Sequence, residues 1–431
     1  MIAAVVVLAA ACGNSEQSGG STTTAGGGGG SSTTASGAKT KVDAPGVTDS
    51  EIRVGGVAAA TNPLGGKYAD SFKGVDAYFA MVNSEGGVDG RKLVLSSKRD
   101  DKMANNSSEV KGLIDQDNVF AALPIATLLF TGADQLVKAN VPTFGWHIND
   151  EWQGSAADPK LNMFGQDGSY LCLGCEQPSV PYVAKMAKRH KIGLLGYNVP
   201  QSTECMQSWD KSFEKWGKEA DAKVVFKDSS LSFGTTDLSV QVSKMKDAGV
   251  DMVITCMDTN GVVTLAKEIK KQQLDAIQYL PNAYDQDLLD EYGDLFEGSY
   301  VYTSFTPLES KDMTDGMKNY EKWIKQVGGE ESENSIVGWI NADLFVKGLK
   351  AAGPDFDRQK VIDAINKMTD YDADGLLSGV NWTTAHTQRD NITCAATLKV
   401  EDSKFVPVTG PKGEPFTCLD VTSQQLTPSY K

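Results

Sequence analysis

The sequence is poor in basic residues and almost without histidine. Its 431 residues contain 41 Lys and Arg against 56 Asp and Glu, which gives a formal net charge of −15 with neutral histidine. This acidic balance argues against a nucleic-acid partner, because such a partner needs a basic face to neutralise its phosphates. It also argues against an anionic membrane surface as the main partner.

Motifs for metal binding and catalysis are missing as well. The three histidines, His147, His190 and His386, lie far apart, and there is no HExxH run and no zinc ladder of cysteines and histidines. The sequence also contains no GxSxG elbow, no GxxxxGKS or GxxxxGKT loop and no GxGxxG after a predicted strand. We therefore expect no metal site, no cofactor and no enzyme.

No hydrophobic run is long enough to span a membrane. The apolar run at residues 2–11 is far shorter than the roughly 20 residues that a bilayer requires, and it fits the hydrophobic region of a secretory signal. Leu8–Cys12 resembles a bacterial lipobox, which predicts cleavage before Cys12 and lipidation of its thiol. The alternative is a plain secretory signal with an incidental cysteine. No Lys or Arg precedes the run, so we expect the true translation start to lie further upstream.

Residues 13–47 are dominated by Gly, Ser and Thr. Such a segment cannot bury enough apolar surface to offset the entropy lost on ordering. We therefore predict a disordered, flexible tether over residues 13–47, after a signal and lipidated cysteine at residues 1–12.

The rest of the chain alternates short apolar segments with segments of helical periodicity. Apolar residues recur at helical spacing in residues 71–85, between strand-like segments at 51–57 and 92–96. Strands separated by helices of about 10–15 residues predict an α/β fold with parallel sheets covered by helices. The weaker pattern between Val141 and Ala184 predicts a crossing between two such units. Three helices and a hairpin close the chain.

Two motifs resemble one family. Met81–Leu93, with the sequence MVNSEGGVDGRKL, resembles the first helix–turn–strand of type I periplasmic solute-binding proteins, in the branch of the Leu/Ile/Val-binding proteins. Thr236–Val242 and Asp247–Asp251 are similar to the matching part of that family's second lobe, and Asn140–Pro142 is a weaker match. The resemblance covers about residues 48–410. It implies the type I periplasmic binding protein fold, in which two Rossmann-like lobes are joined by three hinge crossings.

The resemblance also implies a domain division and a function. Residues 48–165 and 306–372 would form lobe 1, and residues 166–305 and 373–431 would form lobe 2. The family's clamp captures a small polar ligand, such as an amino acid or a related amide or acid, and delivers it to an ABC importer. The alternative is a ligand sensor that uses the same clamp to signal to a partner protein. We expect an extracytoplasmic monomer that is anchored to the outer face of the membrane only through Cys12 and whose partners are the small-molecule ligand and the permease.

Candidate ligand contacts in lobe 1 follow the carboxyl ends of predicted strands, where open α/β sheets bind their ligands. They are Asn62 and Tyr68 in the first loop, Thr127 in the next, and Trp146 with His147 in the third. The family holds a ligand carboxylate with a hydroxyl and main-chain N–H groups at the position of Thr127, and the alternative role of Thr127 is a helix N-cap. The alternative for Trp146 is ordinary packing.

Candidate contacts in lobe 2 follow strand ends in the same way. They are Gln201, Asp258, Thr259 and Tyr284. The family holds a ligand ammonium group with an acidic residue in the region of Asp258, and the alternative role of Asp258 is to cap the following helix. Tyr284 would stack on the ligand or hydrogen-bond to it, or else pack in the core.

The remaining six cysteines suit an oxidising compartment. Sequence alone allows 15 pairings, and the predicted topology favours three pairs: Cys172 with Cys175, Cys205 with Cys256, and Cys394 with Cys418. The Cys-Leu-Gly-Cys spacing also fits a redox centre or half a metal site, but no thioredoxin-like context and no second pair accompany it.

Overall fold

The computed structural model describes residues 40–431. The predicted signal, Cys12 and most of the predicted tether lie outside these residues. Within residues 40–431, no helix combines the length and apolar character that crossing a membrane requires. The predicted α/β class is confirmed, because two separate sheets carry helices on their faces.

The first sheet has five parallel strands in the order β2-β1-β3-β4-β5. Their bounds are β1 Glu51–Ala58, β2 Lys92–Asp100, β3 Ala122–Ala126, β4 Thr143–Gly145 and β5 Met163–Gly165. The sequence places the third strand at residues 119–123, three residues early, because the continuous apolar run has no period that marks its ends. The weakly patterned stretch after Val141 contributes β4 and β5 to this sheet, so the crossing begins only after β5.

Six helices pack around the first sheet, three from the beginning of the chain and three from its later part. They are α1 Asp70–Ser84, α2 Asn106–Asp115, α3 Ala133–Lys138, α9 Asp315–Gln326, α10 Glu333–Ala352 and α11 Arg358–Ile365. The α1 and α10 backbones come close at Gly74, where a Cβ atom would lie 1.8 Å from the carbonyl oxygen of Ser335. This contact fixes the start of α10 against the first sheet.

The second sheet has nine strands. Eight follow the order β14-β13-β11-β10-β9-β8-β6-β7, and β12 pairs with β11. The strands are β6 Lys191–Tyr197, β7 Lys223–Leu231, β8 Met252–Cys256, β9 Ile277–Leu280, β10 Tyr300–Thr303, β11 Ile392–Glu401, β12 Lys404–Val408, β13 Thr417–Asp420 and β14 Ser429–Tyr430. The helices between them are α4 Ser179–Ala187, α5 Pro200–Ala220, α6 Ser239–Ala248, α7 Thr259–Gln272 and α8 Gln286–Phe296.

The chain passes between the two sheets three times, after β5, after β10 and after α11. The second and third passages run side by side, because Phe305 forms an antiparallel bridge with Leu377. A second bridge, between Tyr371 and Val380, folds the third passage back on itself. The two sheets are therefore linked by neighbouring segments of backbone rather than by one flexible linker.

The start of the described chain packs against the first sheet. The buried guanidinium of Arg91 donates to the carbonyl oxygens of Thr48 and Thr40, at 2.9 and 2.6 Å. Val42 and Val47 pack against the main hydrophobic core. The predicted tether is therefore wrong over residues 40–47, because their few apolar side chains and carbonyl groups find partners on the body.

Three disulfides join the pairs that the predicted topology favours. Cys205 on α5 is bonded to Cys256 at the end of β8, and Cys394 on β11 is bonded to Cys418 on β13. Cys172 is bonded to Cys175 in the first passage between the sheets.

Candidate functional site

The carboxyl ends of the strands in both sheets face one cleft. Asn260, at the start of α7, donates from its side chain to the carbonyl oxygen of Pro63 at 2.7 Å. Lys67 lies 2.9 Å from Asp285 and 2.6 Å from Asp287 across the same cleft. These contacts join the loop after β1 to the start of α7 and α8, so the two sides touch at the rim of the cleft.

The larger cavity in the cleft has a volume of about 150 Å³ and a mainly apolar wall. Two disulfide cysteines, Cys205 and Cys256, belong to that wall, as does Leu173 from inside the Cys172–Cys175 ring. The full lining is Leu64, Tyr68, Leu128, Trp146, Ile148, Leu173, Tyr197, Val199, Gln201, Ser202, Cys205, Phe233, Cys256, Met257, Asp258, Pro281 and Asn282. Such a wall suits a ligand with an apolar body, because few polar groups are present to pair with it.

A smaller cavity of about 40 Å³ adjoins the larger one. The two share Tyr68, Trp146 and Asn282 as lining residues. The smaller cavity is otherwise lined by residues 65–67, 259, 283–285 and 332–334. It is therefore the more polar end of a single cleft.

Tyr68 and Trp146 are two predicted residues whose rings are in direct contact. Their rings stack with centroids 5.4 Å apart and planes inclined by 29°. Both rings line both cavities. The pair therefore forms an aromatic partition at the centre of the cleft. Burial, together with the charge of Asp258, raises the pKa of the Tyr68 hydroxyl.

Asp258 lines the larger cavity and also caps α7. One carboxylate oxygen accepts from the backbone N–H of Gly261 at 3.0 Å, and the other accepts from the Tyr197 hydroxyl at 2.5 Å. Asp258 thus caps α7, which is the alternative role that the sequence suggests for it. Burial, together with the hydrogen bond to Asp258, raises the pKa of Tyr197 and keeps its proton in that bond.

The other predicted residues of the second side are held by neighbouring groups. The Thr259 hydroxyl donates to the carbonyl oxygen of Asn282 at 3.0 Å, and Thr259 lines the smaller cavity. Gln201 lines the larger cavity, and its side chain lies 3.4 Å from the carbonyl oxygen of Leu128 on the opposite side. Gln201 therefore also links the two sides of the cleft.

Tyr284 lines the smaller cavity but is mostly engaged in packing. Its hydroxyl donates to Glu309 and accepts from the backbone N–H of Leu308 at 2.7 Å. Its ring meets Phe405 edge to face, with centroids 5.0 Å apart. Most of the Tyr284 surface is therefore packed against protein, as the packing alternative expects, and only part of the ring is available to a ligand.

Thr127 and Asn62 are not among the lining residues of either cavity. The Thr127 hydroxyl donates to the buried carboxylate of Asp101. The helix-cap alternative does not apply either, because the N-cap residue of α3 is Gly132. Asn62 holds its own loop by donating to the carbonyl oxygens of Ala59 and Gly66, at 2.9 Å each.

His147 lines neither of these two cavities but a separate cavity of about 450 Å³ at the passages between the sheets. Its Nδ1 atom lies 2.9 Å from Gln166 Oε1 and 3.2 Å from Asp167 Oδ1. Burial raises the pKa of Asp167, and the nearby His147 opposes that rise. The prediction that His147 lies in the same cleft as Trp146 is wrong, since His147 lines only this separate cavity.

Glu333 is the main residue of the cleft that the sequence does not reveal. It is the first residue of α10 and lines the smaller cavity. Burial, followed by the charge of Asp285, raises its pKa to about 8. Periodicity predicts a helix that begins only at Ser335, and nothing local indicates that this helix end reaches the cleft.

The described residues contain no group of three or more side chains suited to hold a metal ion. The polar groups of the cleft are carboxylates, amides, hydroxyls and the ammonium group of Lys67, most of which are already paired. The arrangement is therefore suited to binding a small molecule between two surfaces.

Comparisons with known proteins agree on one family. Residues 51–404 match the family model described as periplasmic binding protein. The chain is 26% identical over 388 residues to Leu/Ile/Val-binding protein homolog 7 from Brucella suis, which covers 83% of this chain and 91% of that protein. The family and this relative are binding proteins and not enzymes, as we expect of this chain.

Two solved structures illustrate the likeness of fold. A branched chain amino acid ABC transporter from Thermus thermophilus with bound valine superimposes with a TM-score of 0.68 at 20% identity, covering 85% of this chain and 97% of that chain. A fatty acid ABC transporter substrate-binding protein from Thermomonospora curvata gives a TM-score of 0.65 at 19% identity, covering 85% and 93%.

Proposed function

This chain belongs to the periplasmic binding protein family, and from that premise we propose that it captures a small ligand between two closing lobes and delivers it to an ABC importer. The observation that carries the proposal is the mainly apolar cavity between the two sheets, which the stacked rings of Tyr68 and Trp146 line. Hinge closure around such a cavity excludes water and strengthens each polar contact with the ligand.

The lobes that move are those expected from the sequence, namely residues 48–165 with 306–372, and residues 166–305 with 373–431. Support comes from the three passages of chain between the sheets, which are the natural positions of hinges. Lys67 and Asn260 supply contacts that form only when the lobes approach each other.

The ligand is an amino acid or a related amide or acid whose body is apolar. The mainly apolar lining of the larger cavity supports this ligand class, and the named relatives include Leu/Ile/Val-binding homologues. The proposed contacts are Tyr68, Trp146, Gln201, Asp258 and Thr259, with part of the Tyr284 ring. Asn62 and Thr127 hold the surrounding loops and are not proposed as contacts.

The protein works outside the cytoplasm as a monomeric lipoprotein, anchored through Cys12 and a tether that ends before Thr40. Support comes from the lipobox-like sequence and from the Gly/Ser/Thr-rich segment that follows it. Mass spectrometry of the mature N-terminus tests the anchor. An unmodified peptide that contains Cys12 would contradict it.

A thermal-shift and calorimetric screen tests ligand capture directly. The panel should contain valine, leucine, isoleucine, their amides and short branched fatty acids. A ligand at 100 times its dissociation constant should stabilise the folded protein by about 2.7 kcal/mol. No stabilisation by any compound in the panel would contradict this ligand class.

Two variants make the screen specific to the cleft. Trp146→Ala should abolish the stabilisation, because it removes the aromatic partition of the cleft. Trp323→Ala is the matched control, since Trp323 is a similarly half-buried tryptophan on α9 that lines neither cavity. Equal loss of binding in both variants would contradict the proposed location.

Delivery to an importer needs a separate test in cells. Deletion of the gene should abolish uptake of the ligand that the screen identifies, and a Trp146→Ala copy should not restore uptake. Unchanged uptake in the deletion strain would favour the alternative role of a ligand sensor.

A further inference from the structure

We propose that Glu333, rather than Asp258, is the counter-ion for a positively charged group of the ligand. The cleft would then select a small organic ammonium compound with an apolar body. This inference rests on the proposed function, because it presumes that the ligand lies in the cleft between the lobes.

The position of Glu333 is fixed by the surrounding structure. The side chain of Ser332 accepts the backbone N–H of Ser335 in a capping box, which sets the first turn of α10. Close packing of α10 on α1 at Gly74 holds that turn in place. Glu333 therefore reaches the smaller cavity from a rigid element, which favours precise contact with a ligand.

Glu333 has no partner within the described chain that would occupy its carboxylate. No hydrogen bond or ion pair joins its side chain to another residue of the region 40–431, although the side chain is partly buried. A carboxylate in such a position is costly unless it meets a cation or remains protonated. An ammonium group of a ligand would supply the missing cation.

The other acidic groups of the cleft are already engaged. Both oxygens of Asp258 accept hydrogen bonds, from Tyr197 and from Gly261. Asp285 and Asp287 share the ammonium group of Lys67, at 2.9 and 2.6 Å. Of the acidic side chains that line the two cavities, Glu333 is thus the one whose carboxylate has the fewest partners within the described residues.

The wall of the cleft also favours a cation over an anion. Tyr68 and Trp146 line both cavities, and aromatic rings attract cations. Lys67 is the one basic side chain among the described lining residues of these two cavities, and two carboxylates neutralise it. A ligand carboxylate would find no free side-chain cation here.

The two cavities match the two parts of such a ligand. The smaller one, about 40 Å³, has room for a head group little larger than a water molecule. The larger one, about 150 Å³, offers the apolar wall that a branched alkyl chain requires.

Binding of a cation should release a proton. Burial, together with the carboxylate of Asp285, raises the pKa of Glu333 to about 8, so Glu333 is mostly protonated in the empty cleft at neutral pH. Lys67, Tyr68 and Tyr284 also line this cavity, and their raised pKa values keep all three protonated throughout the range near neutrality. An ammonium ligand must displace the Glu333 proton, so its affinity should fall by up to about tenfold for each pH unit below 8.

The test uses three probes that share one alkyl body and differ in charge. Isoamylamine is a cation, isocaproamide is neutral and isocaproate is an anion. Calorimetry on the full mature chain should give the tightest binding for the amine and the weakest for the acid. Titrations in two buffers of different ionisation enthalpy should show proton release for the amine alone. Tightest binding of isocaproate, or no proton release with the amine, would overturn the inference.

Two variants assign the effect to Glu333. Glu333→Gln should weaken amine binding by at least tenfold, abolish its proton release and leave amide binding within about threefold. Glu330→Gln is the control, because Glu330 is an exposed acid three residues earlier that lines neither cavity. Unchanged amine binding in Glu333→Gln would overturn the inference and leave the proposed function intact. Absence of all binding, including that of the amino-acid panel, would overturn both.

Discussion

Thr127→Val tests which partner the Thr127 hydroxyl serves. The family resemblance places its hydroxyl on the ligand carboxylate. The structure directs the same hydroxyl to the buried carboxylate of Asp101. Valine has nearly the same shape as threonine, so this change removes one hydrogen-bond donor without opening a large cavity.

The expected loss of stability follows from the surroundings of Asp101. Asp101 is fully buried and accepts from the backbone N–H of Met103 at 2.9 Å and from the side chain of Asn106 at 3.2 Å, besides the Thr127 hydroxyl. Removing one of three donors to a buried charged acceptor should lower the free energy of unfolding by about 1.5–3 kcal/mol.

Urea unfolding of the variant, the wild type and Thr127→Ser measures this loss. The denaturation midpoint of the valine variant should fall with an unchanged slope, and serine should restore most of the stability because it restores the donor. Ligand affinity, measured with the compound found in the screen, should stay within about twofold of the wild-type value. Normal stability combined with a tenfold loss of affinity would refute the reasoning and return Thr127 to the ligand site.

Two further predictions concern charge. Burial lowers the pKa of His386 to about 4 from an ordinary value of 6.5, so between these values the unfolded chain takes up a proton that the folded chain refuses. The free energy of unfolding should therefore fall by about 3 kcal/mol as the pH drops from 6.5 to 4. His386→Phe should flatten that part of the pH profile measured by urea unfolding. An equally steep profile in the variant would contradict the assignment to His386. Lys67→Met should weaken closure of the cleft by at most about 1 kcal/mol for each lost surface ion pair, seen as lower ligand affinity at low salt. The difference should disappear in high salt, and Lys318→Met, which removes a pair within α9, should have no effect.

The sequence predicts much of the fold because the two kinds of periodicity are regular along most of the chain. It also predicts Tyr68, Trp146, Gln201 and Asp258 as cleft residues, because a strand end is a local feature and its loop must face the cleft. The choice of Cys205 with Cys256 succeeds for the same reason, since both cysteines lie at the carboxyl edge of one sheet.

The other features of the site depend on side-chain orientations and long-range contacts that no local sequence pattern predicts. Thr127 follows a strand end as predicted, but its rotamer is decided by Asp101, which lies 26 residues away in sequence. His147 follows Trp146 directly, yet it lines a different cavity. Glu333 reaches the cleft only because α10 packs along α1, a contact between segments that lie far apart in the sequence.

The contact between Arg91 and Thr40 fixes the point on the protein surface from which any group attached at residue 40 extends. Arg91 precedes β2, and Thr48 precedes β1, so both lie at the amino edge of the first sheet. The ligand cleft begins at the opposite edge, beyond Ala58. The eight residues of β1 separate the two places by about 26 Å. A surface, a fluorescent protein or a sensor chip joined through residue 40 is therefore held on the face away from the mouth of the cleft. A protein immobilised in that way keeps the cleft open to solution.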